Sequence, residues 1–174
     1  MKLLGLMAPL SRLMVEKVYN KMNAIEIIQF LPYKKPFLFV DELTEISENG
    51  VTGSYTFTEK EFFYEGHFKE NPITPGVILT ETMAQIGVVC LGIYLLKNEM
   101  SSDKKPQIAL TSSEIDFFLP VYPSEKVSVI SEKIYFRFHK LKCHVKMFNV
   151  KNELVCRGTI AGMISPFFSK EINH

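Results

Sequence analysis

The sequence predicts an α+β domain: a curved antiparallel sheet wrapped around one long, buried central helix. Three observations lead there. Residues 37–58 read as two extended, Val/Thr/Phe-rich segments separated by the turn Glu48-Asn49-Gly50. Pro75 to about Asn98 reads as one long helix, apolar nearly all round in its second half. After Ser101-Ser102-Asp103 the chain reads as strands joined by turns.

The elements follow in order. Asn23 is placed to cap a short helix through Ala24–Phe30, which Pro32 ends. Phe37–Leu43 and Val51–Thr58 form a predicted β-hairpin. A loop from Glu59 to Thr74 leads into the long helix. Pro75 stands at the helix start, where its missing N–H costs nothing. Ile86 to Leu96 is apolar on every face except Gly87 and Gly92, the pattern of a buried helix. Glu81 and Gln85 interrupt the apolar run, so it is expected to fall short of the roughly 20 residues that a membrane span needs. Strands are predicted over Gln107–Phe118, Lys126–Phe136, Lys140–Asn149 and Glu153–Ser165, the last two forming a hairpin around Val150-Lys151-Asn152. No internal repeat or linker divides the chain. Residues 22–168 are read as one domain, with a C-terminal tail at 169–174 and an N-terminal extension at 1–21. The extension's apolar stretch is short, broken by Pro9 and followed by no clear cleavage site, and recognisable patterning begins only after Met22.

Composition narrows the function. Twenty Lys and Arg against nineteen Asp and Glu leave a formal charge of +1, which gives no support to nucleic-acid binding. Cys90, Cys143 and Cys156 have neither CxxC nor Cys/His ligand spacing, so they are read as reduced core thiols of a cytoplasmic protein. Neither a phosphate-binding loop nor a nucleophile elbow is present. No metal site is expected, because His67 and Glu81 lack further ligands at workable spacing.

The chemistry concentrates in Glu65-Gly66-His67-Phe68-Lys69-Glu70-Asn71-Pro72-Ile73-Thr74-Pro75-Gly76-Val77-Ile78-Leu79-Thr80-Glu81. A histidine taken alone is more often structural than catalytic. A carboxylate in an apolar helix is harder to dismiss: Glu81 must be paired, protonated or lining a cavity. Gln85, four residues on, is placed to hydrogen-bond it. Gly76 has no side chain to keep a ligand from the first, unpaired amides of the helix, which carry partial positive charge. Thr80 has the bland alternative of bonding its own helix backbone. His139, between Phe138 and Lys140, reads as a turn or surface residue. A base, an acid and a helix N-terminus converging in one volume suit proton-transfer chemistry at a carbonyl compound.

The run Gly66-His67-Phe68, Asn71-Pro72-Ile73-Thr74-Pro75-Gly76-Val77-Ile78 and Glu81-Thr82-Met83-Ala84-Gln85 closely resembles the β-hydroxyacyl-[acyl-carrier-protein] dehydratases of type II fatty acid synthesis. Leu31-Pro32-Tyr33-Lys34-Lys35-Pro36-Phe37-Leu38-Phe39-Val40-Asp41 and Ile115-Asp116-Phe117-Phe118 through Val127 resemble two further segments of that family, and the likeness spans about residues 23–165. It implies the hot-dog fold and dehydration of a (3R)-hydroxyacyl-[acyl carrier protein] to the trans-2-enoyl thioester, with no cofactor. By the same resemblance His67 and Glu81 are the catalytic pair, the Gly76 amide holds the thioester carbonyl, Gln85 orients Glu81, and Phe68 and Val77 contact substrate. It implies further a homodimer or trimer of dimers whose sites draw on both subunits, and acidic acyl carrier protein as partner, with Lys34, Lys35 and Lys69 as docking candidates. Two departures stand out: Lys69-Glu70 where the family has Pro-Gly, and Tyr33 where it often has His. They point to a specialised pathway. A hot-dog thioesterase, or an inactive carrier-binding module, are the alternatives.

Overall fold

The computed structural model describes residues 24–96 and 107–165. The predicted extension, the tail, the Asn23 cap and the helix end near Asn98 lie outside the described residues. Helix α1 covers residues 24–30. Strands β1 (Glu42–Ser47) and β2 (Gly50–Thr56) follow, then a single 3-10 turn (Phe62–Glu65). The long helix α2 runs Gly76–Leu96. The chain closes with β3 (Gln107–Phe117), β4 (Lys126–Arg137), β5 (Lys140–Phe148) and β6 (Leu154–Ser165).

Period-two alternation makes the sheet. In β5, Leu141, Cys143, Val145 and Met147 are fully buried while His144 and Lys146 between them are exposed. All six strands pair antiparallel in the order β1-β2-β4-β5-β6-β3. Helix α2 touches every one of the six strands, so the sheet curves around it as the sequence implied. Met83, Ile86, Val88, Cys90 and Leu91 of α2 are buried to within about 1%. Burial of that many aliphatic side chains, each contributing on the order of 1.5–3 kcal/mol, is the main force holding helix to sheet.

Within α2 the hydrogen-bond pattern changes. Gly76–Ala84 is α-helical, Gln85–Cys90 is π-helical, and Leu91–Leu96 returns to α. Strand and helix come closest at this widened turn, where Ser131 Oγ donates to Gly87 O at 2.8 Å. A Cβ on Gly87 would stand 3.0 Å from that of Ser131, so glycine is what allows the approach.

Two expectations are corrected. First, by length and mean hydropathy α2 is long and apolar enough to cross a membrane, Glu81 and Gln85 notwithstanding. What identifies it as a core helix is burial: 78% of its most apolar window is covered by the protein itself. Second, Phe37–Asp41 is not part of the sheet; the β1–β2 ladder begins at Glu42. The side chain of Gln85 occupies the place a neighbouring strand would take, accepting from Phe39 N at 2.8 Å and donating to Phe37 O at 3.0 Å. Beyond it, Asp41 N donates to Ser54 O and the chain enters β1.

Candidate active site

The loop that carries His67 is held from both sides. Its amide donates to Phe63 O at 3.0 Å, and Ile73 N donates back to His67 O at 3.0 Å. Beyond it, Thr74 N donates to Val121 O at 2.8 Å and the Thr74 and Tyr64 hydroxyls meet at 2.6 Å. The imidazole is half-buried, and its Nδ1 lies 3.0 Å from Ile73 O. A carbonyl oxygen only accepts, so Nδ1 must carry the proton. In the neutral ring this leaves Nε2 unprotonated, a base with its orientation already set. The exposed Phe68 ring stacks on the imidazole at a centroid distance of 4.1 Å.

Helix α2 supplies the other half. Pro75 O receives the amides of Ile78 and Leu79 at 2.9 and 3.1 Å, which closes the first turn. Gly76 at the start of that turn faces the Phe117 ring; an added Cβ would lie 3.2 Å from Phe117 Cζ. Val77 beside it is 75% exposed. Thr80 Oγ1 donates to Gly76 O at 3.0 Å, so this hydroxyl is used by its own helix.

Glu81 is half-buried, and Gln85 Nε2 donates to its Oε1 at 2.9 Å. Gln85 is fully buried and fully engaged. Its oxygen takes the Phe39 amide, and its nitrogen serves the Phe37 carbonyl and the Glu81 carboxylate. An N–H on one side and two acceptors on the other leave only one assignment of the amide. The carboxylate's position is thereby tied to the backbone of residues 37–39. Sequence reading anticipated the Glu81–Gln85 bond but missed this strap, whose backbone partners leave no residue-type signal.

Tyr33 was noticed only as a departure from the family pattern. In the fold it packs, half-buried, on the core. Its phenol is pushed up to about 12, first by burial and then by the negative charge of Glu81, so it remains a neutral O–H near the acid. Among the described residues, the structure brings together Glu81, Gln85 and Tyr33, Gly76 with Phe117, and His67 with Phe68. No hydrogen bond joins His67 to Glu81 within the chain. A cleft of about 500 Å³ beside the histidine loop, lined by Glu59, Glu61, Tyr64 and Pro72 among others, includes neither residue.

Comparison with known proteins places the chain in a family. A FabA-like domain model matches residues 31–160. The 3-hydroxyacyl-[acyl-carrier-protein] dehydratase FabZ of Caldicellulosiruptor saccharolyticus is 34% identical over 139 residues, covering 79% of this chain and 95% of that protein. FabZ of Ehrlichia chaffeensis is 34% identical over 145 residues, covering 81% and 94%. Among solved structures, the dehydratase heterocomplex ApeI:P from Xenorhabdus doucetiae superposes with a TM-score of 0.67 at 12% identity, over 80% of this chain and 90% of that one. A hypothetical thioesterase with coenzyme A from Streptococcus pneumoniae TIGR4 superposes at 0.56 and 12%, over 83% and 92%. At such identities the two structures establish a shared fold.

Proposed function

Since this chain belongs to the FabA-like family and is matched along most of its length by 3-hydroxyacyl-[acyl-carrier-protein] dehydratases, we propose that it removes water from a (3R)-hydroxyacyl-[acyl carrier protein] to leave the trans-2-enoyl thioester. The observation that carries the reading is the paired setting of the two ionisable groups. The Nδ1 bond of His67 to Ile73 O leaves Nε2 as a base, and Gln85 holds Glu81 in one orientation.

The steps follow from those groups. With the thioester carbonyl oxygen at the Gly76 amide, enolate character at that oxygen is met by an N–H and the positive end of α2. His67 Nε2 removes the α-proton. Glu81, protonated or acting through a water, delivers a proton to the departing β-hydroxyl, which leaves as water. Return of the proton from His67 to Glu81 through solvent resets the site, and no cofactor takes part. Phe68 and Val77, exposed on either side, are substrate contacts in this scheme.

The site is completed by a second copy of the chain. β3 is an edge strand of the sheet, and Leu110, Phe117 and Phe118 on or beside it are 49–52% exposed. Such an edge invites pairing. Pairing of two β3 strands extends the sheet across the dimer and brings the His67 loop of one subunit to the Glu81 helix of the other. A trimer of such dimers is a further assembly open to the chain. Acyl carrier protein docks on exposed Lys34 and Lys69. Lys35 contributes less, since its Nζ is bonded to Tyr55 OH at 2.9 Å and lies over the Tyr55 ring. Three buried thiols suit a reducing cytoplasm.

Mass spectrometry of β-hydroxybutyryl- and β-hydroxydecanoyl-[acyl carrier protein] incubated with the protein tests the reading. Loss of one water, reduced at least about 100-fold in His67→Ala and in Glu81→Gln, is expected. Release of free carrier thiol would make the protein a thioesterase. Unchanged substrate bound to folded protein would make it a carrier-binding module.

A further inference from the structure

The two residues that join β4 to β5 are Phe138 and His139, and both have left-handed backbones, with φ of 49° and 60°. A two-residue hairpin turn of this hand favours Asn-Gly, because bulky side chains are strained there. Phe138 is nevertheless 95% exposed, the most exposed large hydrophobic side chain among the described residues. The turn's backbone closes the hairpin, but the exposed Phe138 ring adds no burial to the core.

The ring stands among cations. Arg137 and Lys140 pair across the last rung of the hairpin, and Lys142 pairs with Tyr135 two rungs further in. Exposed Ile134 and Met163, the latter paired with Lys140, add apolar surface at the same end of the sheet. The first acidic residues met along these strands in the described region are Glu132 and Glu114, both level with His144. This end is also remote from the chemistry: Gly76 abuts Phe117, at the opposite end of β3.

We propose that the β4–β5 hairpin tip is a peripheral docking site for an anionic phospholipid surface. A protein partner would need a concavity shaped to the tip. A bilayer interface accepts one protruding aromatic side chain and a loose skirt of cations without shape complementarity. Phe138 enters the headgroup–acyl boundary, and Arg137, Lys140 and Lys142 meet the lipid phosphates. The enzyme is thereby concentrated near the membranes that take up acyl chains.

Co-sedimentation of the full chain with sucrose-loaded vesicles of equal parts phosphatidylglycerol and phosphatidylcholine tests this. Binding is expected at low salt and is expected to vanish on pure phosphatidylcholine or at roughly 0.5 M salt. The double variant Phe138→Asn/His139→Gly installs the turn the backbone prefers. It is expected to lower vesicle partitioning about tenfold or more while leaving Tm unchanged or higher, with dehydration of a soluble thioester unaffected. Lys140→Glu with Lys142→Glu is expected to lower partitioning by roughly twentyfold. Three outcomes each overturn the proposal: no binding of the wild type to anionic vesicles, full binding by the Asn-Gly variant, or a Tm loss in that variant with a fall in oligomeric mass, which would make the tip a contact between copies of the chain.

Discussion

Gln85→Leu tests in one substitution whether a single buried amide holds both the strap and Glu81. The side chain is fully buried and makes three hydrogen bonds, of 2.8 Å from Phe39 N, 3.0 Å to Phe37 O and 2.9 Å to Glu81 Oε1. Leucine fills much the same volume but serves none of the three. A buried N–H left unsatisfied costs about 1–3 kcal/mol, and the Phe39 amide is fully enclosed. The Phe37 carbonyl and the Glu81 carboxylate are partly wetted, so each is assigned about 1 kcal/mol. Greater apolar burial by leucine offsets about 1 kcal/mol. The expected net loss is about 2–4 kcal/mol, read by urea denaturation at fixed protein concentration. A domain of ordinary stability, roughly 5–15 kcal/mol, survives that. Turnover should suffer more than stability, because Glu81 loses its orientation: kcat is expected to fall about 10–100-fold with KM little changed. Gln85→Glu supplies the contrast. It retains an acceptor for Phe39 N but sets two carboxylates side by side, so one must hold a proton and the pH profile should move upward. A leucine variant that loses under about 1 kcal/mol and keeps wild-type kcat would refute the claim that this amide holds both strap and acid.

Three further outcomes follow from the packing. Gly158→Ala is expected to cost about 3 kcal/mol or more in denaturant unfolding, because its Cβ would collide with the Glu114 carbonyl of the paired strand and push β3 from β6. Tyr55→Phe removes the hydroxyl that links Lys35 Nζ to Glu61 Oε1 through bonds of 2.9 and 2.7 Å; with Glu61 only 7% exposed, a loss of about 1–3 kcal/mol is expected by the same measurement. Burial pushes Cys143 up to about 11 and Cys156 to about 12, and raises Cys90 as well. The native protein should therefore give no reaction with Ellman's reagent at pH 8, and three thiols after denaturation. The sign of the linked stability is fixed: the contribution is whole below the thiols' ordinary value of 9.0 and declines as pH rises through their native values. Alkaline titration of the unfolding free energy should be flat to about pH 9 and fall above it.

Much of the fold was legible because its signals are local. The predicted limits of β3, β4, β5 and β6 differ from the observed ones by a residue or so; in β4 and β5 one face is buried and the other solvated, and that alternation writes itself into the sequence. The helix start at Pro75-Gly76 was legible for a similar reason. The Glu81–Gln85 pair followed from helical spacing alone. Phe37–Leu43 misled because its composition is that of a strand, yet its first hydrogen-bonding partner is a side-chain amide 46 residues away. Lys35 was a docking candidate by resemblance, and its ammonium is hydrogen-bonded to Tyr55. Neither partner lies within the range over which sequence periodicity speaks.

By itself the sequence determined the α+β class, the strand pattern and the apolar helix, and it supplied the two ionisable residues of the proposed site, because alternation, helical spacing and residue chemistry act over a few neighbours. Tertiary structure alone decided that a helix apolar enough to cross a membrane is instead enclosed by six strands. It alone decided which imidazole nitrogen of the neutral ring is left unprotonated, since that depends on Ile73 O reaching Nδ1 across a folded loop. It alone brought Tyr33 within range of the charge on Glu81. Each of these rests on a contact between segments that meet only when the core closes, and burial, tautomer and electrostatic environment are properties of that closed core.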